Sequence, residues 1–157
     1  MKTQKEIINS IRKQYPPGTR IVLDNINDPA APPVGTQATV TQIDDLGQLL
    51  CDWDNGSSLS VILIGDDCQS IDSVHVISTD AEAKTTLDHF GRIQPEQNAI
   101  CPRCGQLMEG ETIRHARSRY AEIMVCDTCG NIEAVEVAGL VPKKPLMQWE
   151  LIRKCVG

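Results

Sequence analysis

The chain has 157 residues but only five aromatic side chains, which is little aromatic bulk for one large core. This composition favours two small modules, each stabilised by something besides the size of its core. No run of about 18 apolar residues is present, which excludes a membrane-spanning helix, and the charged start MKTQKEIINS lacks the apolar stretch of a signal peptide. We therefore expect a cytoplasmic protein without a membrane partner, in which cysteine clusters hold metal rather than form disulfides.

The net charge of −6 is spread unevenly along the chain. Residues 1–80 carry five Lys/Arg against eleven Asp/Glu, whereas residues 138–157 carry four against one. An acidic surface repels the phosphate backbone, so the first half is a poor candidate for general nucleic-acid binding. We expect the acidic first half to dock a protein partner.

The first predicted element is a short helix. Thr3 and Glu6 in TQKE form a capping box, in which each side chain satisfies a free amide of the first turn. Ile7, Ile8, Ile11 and Tyr15 then recur on one face at helical spacing. The two prolines at 16–17 end the helix because proline cannot donate a backbone hydrogen bond.

Residues 18–78 are predicted to form short strands separated by turns. The strand candidates are GTRIVLDNI, TQATVTQI, QLLCDWD, SSLSVILI and VHVIS. Asn55-Gly56 is a strong signal for a tight hairpin, because both central positions of a type I′ turn need positive φ. Five short strands with one long first loop predict an SH3-like small β-barrel, so residues 1–78 are interpreted as a helix plus this barrel.

A second helix is predicted after residue 78. Thr79 and Glu82 form another capping box, Ala83, Leu87 and Phe90 share a face, and Gly91 is placed as the C-terminal cap. Residues 79–98 are therefore interpreted as a linker helix. Residues 99–157 form the second predicted domain.

Four cysteines in this second domain, Cys101, Cys104, Cys126 and Cys129, form the pairs CPRCG and CDTCG. Zinc is held in proteins by four ligands in a tetrahedron, and two CxxC turns deliver four thiolates to one point. The flanking AEIMVC and NIEAVEV are rich in apolar and β-branched residues, as strands are. The pattern predicts a structural Zn²⁺ in a C-terminal zinc ribbon, and for the whole chain a mainly β fold with short helices (α+β).

Other roles for the cysteines fit the sequence less well. A redox CxxC occurs singly at a helix start, and catalytic zinc keeps an open position, so neither fits two CxxCG pairs. An iron–sulfur site stays open as an alternative. Cys51 is interpreted as a core residue, Cys68 and Cys155 have no recognisable partner, and no catalytic set or small-molecule site stands out.

A basic loop lies between the two cysteine pairs and is the candidate for contact with an anionic partner. It contains Arg114, His115, Arg117, Arg119 and Tyr120. Tyr120 could stack on a nucleic-acid base. Glu109, Glu111 and Glu122 and the negative charge of a four-thiolate site oppose this interpretation, and the loop could equally serve only to solvate a small ribbon.

Two stretches carry a resemblance. YPPGTR, APPVGT and WDNGSSL resemble an uncharacterised SH3-like small-domain family of Firmicutes, their phages and conjugative elements. CPRCGQLM, SRYAEIMVCDTCG and PLMQWELI are similar to zinc-ribbon proteins of the same mobile elements. The resemblance implies a mobile-element origin in a bacterial host and a zinc site, and it implies no enzymatic activity.

Three hypotheses for function follow. The first is a non-enzymatic zinc-binding adaptor that recognises a protein or nucleoprotein partner. The second is an anti-defence protein, for example an inhibitor of a CRISPR nuclease, whose acidic face blocks a nucleic-acid channel; a nucleic-acid-binding regulator is a related alternative. The third is a metal-dependent enzyme that uses Cys68 or His75.

Overall fold

The computed structural model describes residues 3–63 and 71–156. The chain divides into two compact units, which we call unit 1 (residues 1–77 and 155–157) and unit 2 (residues 78–154). Cys68, one of the residues of the enzyme hypothesis, lies outside the described residues. In the parts of the chain that are described, no helix is long and apolar enough to cross a membrane.

Unit 1 begins with helix α1 (Gln4–Gln14), as predicted. Its capping box is present: the Glu6 amide donates to Thr3 Oγ1 at 3.2 Å, and the Thr3 amide donates to Glu6 Oε2 at 3.0 Å. Ile8, Ile11 and Tyr15 are buried, so the predicted apolar face is the one that packs. The helix ends where the two prolines follow.

Four antiparallel strands form the sheet of unit 1: β1 (Arg20–Asn25), β2 (Gln37–Ile43), β3 (Leu49–Trp53) and β4 (Ser73–Val76). Their order in the sheet is β3-β2-β1-β4. Alternate side chains of these strands form the core with α1, including Ile21, Val40 and Trp53. Within the described ranges the sheet keeps two edges, so the closed SH3-like barrel predicted from the sequence is replaced by an open sheet.

The predicted returning strand SSLSVILI is the reason for this difference. Asn55 is outside the positive-φ region, and only Gly56 has a positive φ of 90°, so a type I′ turn does not form. Ser57 Oγ instead accepts a hydrogen bond from the Leu59 amide, and the Leu59 carbonyl accepts one from Trp53 Nε1. Local bonds of this kind compete with a strand ladder. In residues 57–63, the described part of SSLSVILI, a single bridge from Val61 to Leu49 remains, and residue 64 lies outside the described residues.

A buried ion pair links two of the stretches that carry the resemblance. Arg20, fully buried, donates to both carboxylate oxygens of Asp54, with Nη1 to Oδ1 at 2.8 Å, and also to Gln37 Oε1 at 3.0 Å. YPPGTR and WDNG therefore meet through Arg20 and Asp54. These residues stabilise the sheet rather than form a surface site.

Unit 2 contains helix α2 (Asp80–Arg92), a two-stranded sheet of β5 (Ala116–Arg117) and β6 (Met124–Val125), helix α3 (Asp127–Val137) and the start of α4 (Glu150–Cys155). Short 3₁₀ turns lie at Thr112–Arg114 and Leu146–Gln148. Isolated bridges between residues 97 and 111 and between 100 and 107 make residues 96–112 an irregular hairpin. The helix predicted as a linker, α2, is thus part of this unit.

The predicted cap of α2 is wrong at its C-terminus. The helix continues through Gly91 to Arg92, and Ile93 is its C-cap. A Cβ at Gly91 would lie only 1.8 Å from the backbone oxygen of Glu122. The glycine is therefore required for close approach of another backbone, not for a left-handed turn.

The predicted final strand of the ribbon, NIEAVEV, is also wrong, because these residues lie in helix α3. Cys126 is the N-cap of α3, and its Sγ accepts a hydrogen bond from the Cys129 amide. Glu133 and Glu136, three residues apart, share the buried face of the helix. A purely β zinc ribbon is therefore replaced by a hairpin, a small sheet and a helix.

Candidate metal centre

The first cysteine pair lies in a tight turn at the tip of the irregular hairpin. The Cys101 amide donates to the Gln106 carbonyl at 2.7 Å, and the Gly105 amide donates to the Cys101 carbonyl at 2.9 Å. Gly105 has a φ of 82°, a conformation that side chains disfavour, so glycine is required after the second cysteine. This turn directs the Cys101 and Cys104 sulfurs to the same side.

The second pair lies at the N-terminus of α3. Cys126 caps the helix and Cys129 lies in its first turn, where the free amides of a helix end favour negative charge. The Cys126 amide donates to Cys101 Sγ at 3.3 Å, and the Cys129 amide donates to Cys126 Sγ at 3.4 Å. Backbone amides therefore donate to sulfurs of both cysteine pairs, as the groups around metal ligands commonly do.

The four sulfurs form one cluster, all within 4.8 Å of one another. Four thiolates about 2.3 Å from one tetrahedral ion lie about 3.8 Å apart. The Cys104 and Cys126 sulfurs are separated by 3.7 Å. The predicted ligands Cys101, Cys104, Cys126 and Cys129 are thus close enough together to hold a metal ion.

The environment shifts the thiol pKa values in opposite directions. Burial raises the pKa of Cys101 and of Cys129. Burial also acts upward on Cys104, but the Gln106 amide and the neighbouring Cys101 side chain outweigh it, so the pKa of Cys104 is lowered. Because metal ligation requires thiolates, an ion must displace protons here, and its affinity falls as pH falls.

A buried charged network surrounds the first cysteine turn. Arg103, which lies between Cys101 and Cys104, is 3% exposed and donates to both carboxylate oxygens of Glu136, at 2.9 and 2.7 Å. Its guanidinium also lies 3.5 Å from Glu133, which accepts a hydrogen bond from Ser118 Oγ. The Arg103 hydrogen bonds are the largest cause that lowers the pKa of Glu136, to about 2.

Residues 144–151, which we call the tail, close over this turn. The Glu150 and Leu151 amides donate to the carbonyls of Arg103 and Pro102, at 3.3 and 3.0 Å. Trp149, fully buried, has its ring 5.7 Å from the Arg103 guanidinium carbon. The tail amides therefore supply hydrogen-bond donors to the carbonyls of the two residues between Cys101 and Cys104. The sequence gives no sign of these bonds, because they involve backbone groups that every residue carries.

Most of the predicted basic contacts are engaged within unit 2. Arg114 pairs with Glu111 at 3.0 Å, and His115 Nε2 lies 2.9 Å from the Glu109 carbonyl. Arg119 donates to the Gly130 carbonyl at 3.0 Å.

Tyr120 donates to Glu136 at 3.2 Å, and the Lys143 ammonium lies 4.2 Å from the centre of its ring. The ring is therefore covered on one face, which makes it a poor platform for a base. Arg117 pairs with Met124 through its backbone, and within the described residues its exposed side chain makes no hydrogen bond or ion pair. The basic loop mainly supports the hairpin and α3.

Of the two residues of the enzyme hypothesis, Cys68 and His75, only His75 lies within the described residues. His75 Nδ1 lies 2.7 Å from Asp24 Oδ1, with both side chains 41% exposed on the sheet of unit 1. Cys51 is in the core of that unit, and burial together with Asp52 raises its pKa to about 12. A neutral, buried thiol is a poor nucleophile.

Comparison with known proteins gives one match. Residues 4–71 match a family described as Domain of unknown function (DUF4314), a stretch that spans α1, β1, β2 and β3. None of the curated proteins and none of the solved structures matches the chain. The match covers less than half of the sequence and includes none of the clustered cysteines.

Proposed function

We propose that this chain is a non-enzymatic, zinc-binding recognition protein of phage or mobile-element origin that binds a protein partner in a bacterial cytoplasm. The observation that carries the proposal is the four-cysteine cluster, whose sulfurs lie within 4.8 Å of one another. Four thiolates complete the tetrahedron of zinc and leave no open position for a substrate. The metal would stabilise unit 2, and the protein would act by binding.

The construction of the site supports a single tetrahedral ion over an iron–sulfur cluster. One ligand pair caps a helix and the other lies in a tight hairpin turn, so all four sulfurs converge on a single point. This arrangement suits one tetrahedral ion, which Zn²⁺ prefers. An isolated iron with four thiolates has the same geometry, so the test must identify the metal.

The fold of unit 1 supports a finer proposal, a degenerate SH3-like barrel. Val61 pairs with Leu49 of edge strand β3, and the Asp72 amide, next to edge strand β4, donates to the Ile62 carbonyl. Residues 61–62 therefore contact both edges of the open sheet. A few short contacts at residues 61–63, in place of one regular strand, are what a barrel with a degraded fourth strand would retain.

The charge distribution supports a protein partner over a nucleic acid. Unit 1 carries five Lys/Arg against ten Asp/Glu, a net charge of −5, and unit 2 carries ten against eleven. Three residues of the basic loop, Arg114, Arg119 and Tyr120, are engaged internally. A strongly acidic unit attracts basic surfaces and repels phosphates.

The experiment is metal analysis of the chain purified from its host, followed by affinity capture with and without the metal. We expect one zinc per chain, and weaker capture of the partner when a chelator removes the zinc, because the zinc-bound unit 2 would serve as a recognition platform beside the acidic unit 1. Absence of metal, together with four freely titrating thiols in the folded protein, would contradict the proposal. Iron in place of zinc would keep the site and change the cofactor.

The net charge of unit 1 favours one second candidate, an anti-defence protein that occupies the nucleic-acid channel of a nuclease. Capture of a nuclease whose cleavage the chain inhibits in competition with nucleic acid would favour this candidate over a general adaptor. A salt-dependent gel shift that Arg117→Gln abolishes would instead favour direct nucleic-acid binding.

A further inference from the structure

A groove of about 610 Å³ lies in unit 1, between the loop after β1 and the residues that follow β3. This volume is within the range of ligand pockets, about 300–1,000 Å³. Its walls combine aliphatic side chains, among them Ile26, Leu59 and Ile71, with the three serines at 57, 58 and 60. Two carboxylates, Asp28 and Asp72, also line it.

The charged side chains described in this groove are all acidic. Its described lining contains two aspartates and no lysine, arginine or histidine. Asp72 is only 6% exposed, and its Oδ2 accepts the Ile62 amide at 2.7 Å. No cation pairs with Asp72 within the described residues, and a buried carboxylate without a counter-charge is unfavourable. A cation entering the groove would offset that cost.

The walls indicate what kind of cation fits. A metal ion would need several oxygen ligands, but only two carboxylates line the groove, and the cysteine cluster is the one candidate metal group in the described parts of the chain. Aliphatic walls at Ile26, Leu59 and Ile71 suit a cation on an apolar stem. Lysine and arginine side chains have this form, with a methylene stem and a charged head.

We propose that this groove binds a lysine or arginine side chain of a basic protein partner, with Asp72 and Asp28 as the carboxylates that receive the charge. The serine hydroxyls supply further acceptors at the rim. The inference deepens the proposed function, because it names the surface and the chemistry of the partner, and it rests on that function. The net charge of −5 on unit 1 would attract the same partner at longer range.

The test is a titration of the full-length, isotope-labelled chain, followed by NMR, with the blocked pentapeptide acetyl-Gly-Gly-Arg-Gly-Gly-amide. The control peptide carries citrulline, which has the shape of arginine without its charge. We expect saturable shifts at groove residues and binding about tenfold tighter for the arginine peptide, since a hydrogen bond to a charged group is worth at least that factor.

Three single variants locate the effect. Asp28→Asn and Asp72→Asn should each weaken arginine-peptide binding about fivefold or more, because the carboxylate charge is lost. Asp45→Asn is the matched control: it removes the same charge from unit 1 at a fully exposed side chain outside the groove, and should change affinity less than about twofold. If Asp72→Asn does not fold, the affinity of Asp28→Asn for the arginine peptide still tests whether the groove carboxylates bind the cation.

Equal binding of the arginine and citrulline peptides would overturn the inference. So would a loss of affinity in Asp45→Asn as large as that in Asp28→Asn and Asp72→Asn, or saturable binding of Ca²⁺ at the groove in place of the peptide. These outcomes are separate from the proposed function. A host partner that binds Asp28→Asn and Asp72→Asn as tightly as the native chain would remove the groove as its site and leave zinc-dependent recognition in place.

Discussion

The two units achieve stability by different means. Unit 1 has a conventional apolar core, in which α1 and three strands contribute side chains such as Ile11, Ile21 and Leu49. Unit 2 has two-residue strands, and four cysteines gather at its hairpin and helix. A unit of under 80 residues rarely has enough core to fold on apolar burial alone, and a structural metal is a common supplement.

Both units nevertheless bury one arginine with a carboxylate. Arg20 pairs with Asp54 in unit 1, and Arg103 pairs with Glu136 in unit 2. In unit 1 the pair joins strands that an apolar core already holds, whereas in unit 2 it joins the cysteine turn to α3. We therefore expect unit 1 to depend mainly on packing and unit 2 to depend also on a bound metal and on its buried charges, which experiments on each unit can separate.

Loss of the metal should produce the largest difference between the units. In Cys129→Ser, unit 2 should lose the metal and most of its protection from hydrogen exchange, because structural zinc contributes an apparent binding free energy of about 10–16 kcal/mol. Protection in unit 1 should be unchanged. Cys51→Ala, which removes a sulfur outside the cluster, should keep the metal. Native protection of unit 2 in metal-free Cys129→Ser would contradict this assignment.

Breaking either buried ion pair should destabilise only its own unit. Glu136→Gln leaves Arg103 without its bidentate carboxylate, and Asp54→Asn does the same to Arg20. Removal of one partner of a buried pair costs about 3–5 kcal/mol, and Glu133, 3.5 Å from Arg103, should reduce the loss in Glu136→Gln. Hydrogen exchange in metal-loaded protein should localise each loss to one unit. A decrease in the free energy of unfolding of under about 0.5 kcal/mol would mean that these pairs stabilise the protein no more than surface ion pairs do.

Gly91→Ala should destabilise unit 2 by about 1–3 kcal/mol, the range of overpacked sites. The direction of the change in stability is informative. In an open helix interior, alanine is more stabilising than glycine by about 0.5–1 kcal/mol, so a loss of stability points to the close contact. Here the added Cβ would meet the Glu122 backbone oxygen at 1.8 Å. Chemical denaturation of Gly91→Ala measures the effect. A gain in stability would mean that this backbone contact is not formed.

Alkaline pH should weaken unit 1 through Cys51. Burial raises its pKa from 9.0 to about 12, so the folded unit keeps the proton that the unfolded chain releases. The contribution of the protonated Cys51 thiol to the free energy of unfolding is fully present below pH 9. It falls between pH 9 and 12, by at most about 1.4 kcal/mol per pH unit. The measurement compares the pH dependence of unfolding for the native chain and Cys51→Ala. Identical slopes from pH 9 to 11 would contradict the prediction.

The sequence predicted correctly those features that depend on residues close together in the chain. The Thr3 capping box formed as predicted, because its bonds join residues three apart and need no distant partner. Thr79 caps α2 as predicted, whereas the Glu82 carboxylate accepts the Ser78 amide. The four cysteines cluster as their spacing indicated, since two CxxC turns carry most of the required geometry. The acidic character of unit 1 also follows directly from composition.

Predictions failed where distant residues decide the outcome. The β-branched residues Ile132, Val135 and Val137 favoured a strand, but the Cys126 cap and the pairing of Glu136 with Arg103 stabilise a helix. Two glutamates spaced i, i+3 after a CxxC pair were the available signal. The sequence indicated that Trp149 packs back on the ribbon, but not that the Glu150 and Leu151 amides bond to the cysteine turn. The closed barrel did not form, because the Ser57 hydroxyl competes for the strand's bonds.

The position of the tail in the chain has a consequence for synthesis. All four cysteines precede residue 130, whereas the amides that cover their first turn belong to residues 150 and 151. At elongation rates of about 5–20 residues per second, the last ligand is made roughly 1–4 s before the tail. A chain that stops short of residue 150 would therefore carry all four thiols but lack the amides that cover their first turn.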